Sequence, residues 1–143
     1  MIKEFKDNYR WLSNFYPCKV VWYGKMFLSV ENAYQASKCD DKRWIEFCQT
    51  FNPGIVKSAA KELEYDKPDW EKRKLKIMEI CLSQKFTQEP FNSMLKLTGD
   101  EELQEGNNWG DEFWGVNLKT GKGQNHLGKL IMLIRDRLNG TKF

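Results

Sequence analysis

An α-rich α+β fold is predicted: a single, predominantly helical domain spanning 1–143, with one small antiparallel β-hairpin near its amino terminus. Three observations lead there. A chain of 143 residues suits one core, since domains commonly run to about 100–150 residues. Hairpin grammar occurs at 18–28, while most of the remaining chain sets its apolar residues at three- and four-residue spacing. A hydrophobic fraction of 41% with 14% aromatics supplies enough apolar surface to offset the entropy of ordering the chain, which excludes a disordered protein.

Taken in order, residues 18–23 and 26–28 read as two short strands around a tight turn at Gly24-Lys25, because glycine tolerates the positive φ such turns need. Ser29 can cap a helix over 30–39, with Glu31 favourably placed in its first turn. After Asp40-Asp41 a second helix runs through Trp44, Ile45, Phe47 and Cys48 and ends before Asn52-Pro53. Pro53-Gly54 opens a third, carrying Ile55, Val56, Ala59, Ala60 and Leu63. The longest helix starts near Pro68-Asp69, where proline suits a first turn, and continues to Phe86. Its stripe of Trp70, Leu75, Met78, Cys81, Leu82 and Phe86 marks it as the spine of the core. A short helix over 91–97 precedes Thr98-Gly99-Asp100; a glycine-rich segment covers 106–123; a last helix carries Leu127, Leu130, Ile131, Leu133, Ile134 and Leu138.

Charge and cysteine usage narrow the function classes. A net charge of +3 from 23 basic and 20 acidic residues describes a mixed surface, which does not indicate a sequence-independent grip on nucleic acid. Cys18, Cys39, Cys48 and Cys81 contain no Cys-x-x-Cys pair, and the single His126 cannot complete the usual zinc sets, so no metal is expected. No apolar stretch approaches the roughly 20 residues of a membrane span, and the first residues lack the apolar region of a signal peptide. The expectation is a cytoplasmic protein with free thiols, no membrane partner and no cofactor.

Four stretches carry polar or aromatic residues that a plain helical domain does not need. In Trp11-Leu12-Ser13-Asn14-Phe15-Tyr16-Pro17, rings could stack on a nucleobase while Ser13 and Asn14 read its edge; a polar turn leading into the hairpin explains the same residues. On the helix after Ser29, Glu31, Tyr34, Gln35 and Lys38 share one face, and Ala33 and Ala36 lie on the other. Two turns, about 10 Å, separate Glu31 from Lys38, so both could reach one bound sugar; a solvated face is the alternative. Trp109-Gly110-Asp111-Glu112-Phe113-Trp114-Gly115 can hold a carboxylate between aromatic walls, or form a turn whose acids face water. Gly121-Lys122-Gly123-Gln124-Asn125-His126-Leu127-Gly128 precedes the last helix, where backbone N–H groups can cradle a phosphate and Asn125 can act as a cap. It is neither a dinucleotide fingerprint nor a P-loop.

In this order the stretches resemble the YbiA-like (NADAR) family. The matching elements are 12–17, 29–38, Asp69-Trp70, Lys85-Phe86, Thr98-Gly99-Asp100 with Leu103-Gln104-Glu105, Trp109-Gly110-Asp111 with Trp114-Gly115, and 123–128, which together cover nearly the whole chain. The resemblance implies an α-rich α+β fold and N-glycosidase activity. Family members act on N-ribosides such as phosphorylated ribosylamino-pyrimidines of riboflavin biosynthesis, or on ADP-ribose linked to other groups, including guanine bases in DNA. The implied partner is thus a nucleotide-like small molecule or an ADP-ribosylated macromolecule, with nucleic acid only as a modified substrate. Glu31 and Lys38 match the family's acidic and lysine positions, while Ser13, Asn14, Phe15, Tyr16, Trp109, Gly110, Asp111, Trp114, Gly115 and Asn125 would line the cleft. After Ala60-Lys61 many relatives carry a Gly-Arg pair, whereas here Glu62-Leu63-Glu64-Tyr65-Asp66-Lys67 runs straight to Pro68; the phosphate contacts lack that arginine.

The chemistry that follows assigns Glu31 to stabilising positive charge on the ribose as the C1′–N bond breaks. Lys38 has two roles open to it: a desolvated neutral amine attacking C1′ of a ring-opened ribose, or a cation holding a phosphate or ribose oxygen. Phe15, Tyr16 or Trp109 would stack on the leaving base, and Asp111 would orient the sugar or donate a proton. A catalytically silent ADP-ribose or nucleotide-binding module is the competing class, and a salt-sensitive nucleic-acid binder a third.

Overall fold

The structure is a computed structural model that describes residues 1–140; the last three residues of the domain expected over 1–143 lie outside the described residues. The chain divides into two compact units, one formed by Asn14–Lys85 and the other by Met1–Ser13 with the chain from Phe86 onward. The architecture is α-rich α+β with a small antiparallel hairpin, as the spacing predicted.

In the unit Asn14–Lys85, β1 (Val20–Trp22) and β2 (Lys25–Phe27) pair antiparallel, with Val20 opposite Phe27 and Trp22 opposite Lys25. The turn lies one residue earlier than expected, because Tyr23 (φ 47) and Gly24 (φ 75) are its two left-handed residues, the combination a type I′ turn requires. Lys25 therefore belongs to β2. Val20 and Phe27 point inward while Val21, Tyr23 and Met26 are exposed.

Four helices follow: α1 (Val30–Ala36), α2 (Lys42–Thr50), α3 (Pro53–Ala59) and α4 (Lys67–Phe86). All four begin on a side-chain cap that satisfies a first-turn N–H: Ser29 Oγ accepts from Asn32 N at 3.0 Å, Asp41 Oδ1 from Arg43 N at 2.8 Å, Asn52 Oδ1 from Ile55 N at 3.0 Å and Asp66 Oδ1 from Asp69 N at 3.1 Å. Helix α1 stops at Ala36 rather than near Cys39. Its Ser37 hydroxyl donates to the Tyr34 carbonyl at 2.5 Å, and the ladder tightens to Lys38 N donating to Gln35 O at 3.2 Å, a side-chain competition that ends helices. Helix α3 ends at Ala59 and continues as a 3-10 turn over Ala60–Glu62, which leaves Leu63 outside the helix. Along α4, Trp70, Ile77, Met78, Cys81, Leu82 and Phe86 are buried, but Leu75 is exposed. Five residues from Trp70, Leu75 sits about 140° around the helix and faces away. Helix α1 is the hub of this unit, packing on α2, α3 and both strands.

The other unit starts with a 3-10 turn, Asp7–Leu12, that buries Trp11 and Leu12. Helices α5 (Phe91–Leu97) and α6 (His126–Leu138) pack together. Arg135 Nη1 donates to Thr98 Oγ1 at 3.0 Å and to Glu101 O at 2.8 Å, so the Thr98-Gly99-Asp100 turn is pinned to α6. Of the apolar residues expected on the last helix, Leu127, Ile131 and Ile134 are buried and Leu133 is exposed. The glycine-rich segment holds two unexpected strands, β3 (Gly106–Asn107) and β4 (Val116–Asn117), paired in parallel. At two residues each they are too short to show an alternating pattern. No helix among the described residues is long and apolar enough to cross a membrane.

Candidate functional site

The expected polar face of α1 is not solvated. Glu31 is 6% exposed, Asn32 3% and Gln35 5%, and Tyr34 is buried beside them. Each has a packing or bonding reason to be there. Asn32 Nδ2 donates to the carbonyls of Cys48 at 2.7 Å and Phe51 at 2.8 Å, which locks the end of α2 onto α1. Glu31 N donates to Asn14 O at 3.0 Å, setting the Asn14-Phe15-Tyr16 turn on the first turn of α1. The Glu31 carboxylate accepts from Gln35 Nε2 at 2.7 Å, an i,i+4 contact that the helical repeat makes geometric. Gln35 O is held in turn by Trp44 Nε1 at 2.8 Å. Two buried acceptors remain without a partner among the described residues, Gln35 Oε1 and Asn14 Oδ1. Buried polar atoms are nearly always satisfied, so such atoms point to a ligand or a water.

Lys38 leaves the end of α1 into an aromatic enclosure. Its Nζ lies 5.8 Å from the Tyr34 ring centre, 5.4 Å from Tyr65 and 5.6 Å from Trp70, with Trp70 set edge-on to both tyrosines. It enters no salt bridge among the described residues. Burial pushes the Lys38 pKa below its ordinary 10.5; the charge of Glu31 opposes that shift, and ring faces also favour the cation. The same carboxylate, after burial, helps push the neighbouring Cys48 thiol up to about 12. A cavity of about 260 Å³ opens here, with Gln35, Lys38, Lys57, Lys61, Tyr65 and Lys67 on its wall. Glu31 is not on that wall; it is coupled to it through Gln35. Phe15, 39% exposed, carries the Lys57 ammonium 5.6 Å above its ring, and Tyr16 is half-buried.

The remaining expected residues belong to the other unit, where several of their polar atoms bond within the fold. Ser13 N closes the first 3-10 turn onto Arg10 O at 3.0 Å. Asp111 Oδ1 accepts from Phe113 N at 3.0 Å and Trp114 N at 2.9 Å, while Asn107 clamps the Asp111 backbone from both sides. The carboxylate thus shapes the tryptophan loop. Gly110 is left-handed at φ 84, Trp109 is 63% exposed, and Trp114 and Phe113 pack edge-on against each other at 4.9 Å. A Cβ on Gly115 would run into the backbone and side chain of Glu105. Asn125 stands at the helix start in the left-handed region (φ 52, ψ 41) and makes no capping bond. Its side chain instead stitches residues 103–105, donating to Leu103 O at 2.9 Å and accepting from Glu105 N at 3.0 Å.

That arrangement corrects the expected phosphate cradle at the start of α6. Gln124, Asn125, His126 and Leu127 donate their N–H groups to the carbonyls of Glu112, Gly115, Phe113 and Trp114 at 2.8–3.2 Å, so these four donors face the tryptophan loop rather than a ligand. Residues missed at the sequence level are Asn32, Tyr65, Trp70 as a cage wall, and Lys57, Lys61 and Lys67. The i,i+4 spacing of Lys57 and Lys61 was a usable signal; the approach of Tyr65 to Lys38 is tertiary and left none. Among the described residues no group of three His, Cys, Asp or Glu could hold a metal ion.

Fold and site together define an α+β domain whose first helix buries an acid beside a caged, desolvated amine. The NADAR domain model matches residues 2–139, and the chain belongs to the NADAR domain family. It is 33% identical over 138 residues to a riboflavin biosynthesis protein of Vibrio vulnificus, a match covering 94% of this chain and 37% of that protein. It is 31% identical over 136 residues to the N-glycosidase YbiA of Escherichia coli, covering 92% and 83%. The NMR structure of E. coli YbiA superposes with a TM-score of 0.81 at 27% identity, covering 97% of this chain and 87% of that one. The chain therefore spans little more than a third of the Vibrio relative and most of YbiA.

Proposed function

We propose that this chain is an N-glycosidase that hydrolyses the C1′–N bond of a phosphorylated N-riboside, with Lys38 and Glu31 as its reacting pair. The substrate class is that of the riboflavin-pathway ribosylamino-pyrimidine phosphates or of ADP-ribose carried on an acceptor, met in the cytoplasm. One observation carries the reading: Gln35, on the wall of a cavity with the half-buried Lys38 amine just past the end of α1, is bonded to the buried Glu31 carboxylate one turn before it. Membership of a family with relatives named N-glycosidase supports it.

In this scheme the neutral Lys38 amine attacks C1′ of the ring-opened ribose, the C1′–N electron pair leaves with the base, and the base nitrogen takes up a proton. Water then hydrolyses the lysine–sugar imine and frees the amine. Glu31 supplies the negative charge that stabilises the cationic carbon more than the neutral ground state. Because burial lowers the Lys38 pKa, its reactive neutral form gains population as pH rises through a value below 10.5, and kcat/KM rises over the same window. The test is incubation with a panel of N-ribosides and ADP-ribosylated acceptors, with mass spectrometry of the released base, and borohydride trapping during turnover. A sugar adduct on Lys38 and a released base are expected. Turnover without any trapped adduct would reject the covalent role, and binding without release would favour a silent module.

A further inference from the structure

We infer that the cavity beside Lys38 contains this chain's own phosphate subsite, in which Lys57, Lys61 and Lys67 hold the 5′-phosphate of a ribose while Gln35 accepts from one of its hydroxyls. The inference deepens the glycosidase reading and rests on it for the identity of the sugar.

Three observations converge. The helix-start cradle is closed, since its N–H groups are engaged by carbonyls 112–115. A second place for the phosphate is therefore needed, and the chain lacks the arginine that the family resemblance led one to expect after Ala60-Lys61. Four lysines, Lys38, Lys57, Lys61 and Lys67, line one cavity of about 260 Å³. Like charges gathered around a common space repel, and an anion placed among them removes that cost. Glu62, Glu64 and Asp66 of the α3–α4 connection are not on the wall, Asp66 is bonded to the first turn of α4 through Asp69 N at 3.1 Å, and the Lys57 and Lys67 ammonium groups lie 5.6 and 5.9 Å from the Phe15 and Tyr65 ring centres. The third observation is Gln35 Oε1, a buried acceptor without a partner among the described residues, on a side chain of the same wall.

Local structure explains the convergence. Lys57 ends on α3 and Lys61 on the 3-10 turn that continues it, four residues on and on the same side; Lys67 is the first residue of α4. Such a cavity is smaller than the roughly 300–1,000 Å³ clefts that enclose whole drug-sized ligands. Its volume suits a phosphorylated sugar rather than a whole nucleotide. Lysines act as point charges with rotatable donors rather than as a planar fork, so a terminal phosphate and the ribose-proximal phosphate of a diphosphate are both accommodated.

The experiment is a calorimetric titration of the intact chain with ribose 5-phosphate, ADP-ribose, ribose and inorganic phosphate. It compares wild type with the double variant Lys61→Ala/Lys67→Ala, the charge-keeping Lys61→Arg/Lys67→Arg, and Lys122→Ala at the closed cradle. Both lysines are exposed, and an unchanged Tm checks the fold. Expected is a loss of ribose 5-phosphate affinity of about tenfold in the alanine pair, recovery in the arginine pair, no change for ribose, and no effect of Lys122→Ala. A parallel loss for ADP-ribose would extend the site to the diphosphate source; its absence would restrict it to the monophosphate. Equal ribose 5-phosphate affinity in wild type and the alanine pair, or no binding by wild type, overturns the subsite. Charge-dependent binding without any base released from the substrate panel would instead discard the glycosidase reading and leave the subsite standing.

Discussion

The segments 29–38 and 107–125 both bury polar side chains, and they use them in opposite ways. In the tryptophan loop the polar atoms named above close bonds within the fold: Asp111 holds two N–H groups, Asn107 clamps Asp111, and Asn125 ties down 103–105. At Gln35 of α1, and at Asn14 and Lys38 beside that helix, bonding capacity is left over among the described residues. Gln35 Oε1 and Asn14 Oδ1 have no partner among the described residues, and Lys38 is packed among rings with no ion pair. A fold gains nothing from an unsatisfied buried acceptor, which costs on the order of 1–3 kcal/mol. The asymmetry sets a segment whose polar atoms close the fold beside one that leaves buried acceptors unsatisfied, the feature on which the proposed site rests.

The largest expected effect sets the two carboxylates against each other with the same isosteric change. Glu31→Gln removes charge but keeps shape, and kcat should fall roughly 100- to 1,000-fold with little change in Tm. Asp111→Asn keeps the Oδ1 acceptor on which the turn depends, so activity should stay within about twofold, while Asp111→Ala should cost about 1–2 kcal/mol of stability. Steady-state kinetics and thermal melts of the three variants decide it. A collapse of kcat in Asp111→Asn with a normal melt would return that carboxylate to the chemistry and dissolve the contrast.

Next in size is Gly115→Ala, which probes the loop as scaffold. A methyl group there meets the Glu105 backbone and carboxylate together, and backbone cannot step aside as a side-chain tip can. A destabilisation of about 3 kcal/mol is expected, read as the shift in urea midpoint at constant m-value. An unchanged midpoint would mean that the approach of the two strands is softer than the contacts indicate.

Helix caps, proline starts and the hairpin were legible because they are local: Ser29, Asp41 and Asn52 each bond an N–H within three residues. So was the Glu31–Gln35 face, through the 3.6-residue repeat. Three things could not be read. Whether that face meets water or a cavity depends on α2, α3 and α4, which the helix's own sequence does not record. The meeting of Lys38 with Tyr65 and Trp70 spans 27 and 32 positions of chain. The start of α6 looked like an anion cradle because a free helix start and one plugged by carbonyls have the same sequence signature; only the backbone partners of Gln124 to Leu127 distinguish them.

The smallest effect sharpens the comparison from outside the candidate site. Lys85 is also buried in the Asn14–Lys85 unit, fully so, and burial lowers its pKa from 10.5 to about 8 despite the opposing charge of Cys18. Its protonated form is thus disfavoured in the folded state. Above 10.5 it is neutral whether the chain is folded or not; as pH falls through 8 the folded chain must take up a buried charge, and that stability is lost. Between pH 7 and 9 the wild type should gain about 1 kcal/mol relative to Lys85→Met, which keeps length without charge. The wild-type profile alone stays flatter, because Cys48 and Cys81, raised from 9.0 to about 12, bind protons that the unfolded chain releases and so pull stability down as pH rises. Chemical melts of both proteins at pH 7, 8 and 9 measure the difference directly, with the thiol contribution cancelling. If the two profiles run parallel, Lys85 keeps its proton throughout, and burial in this unit does not by itself perturb an amine; the shift at Lys38 would then have to come from its own enclosure.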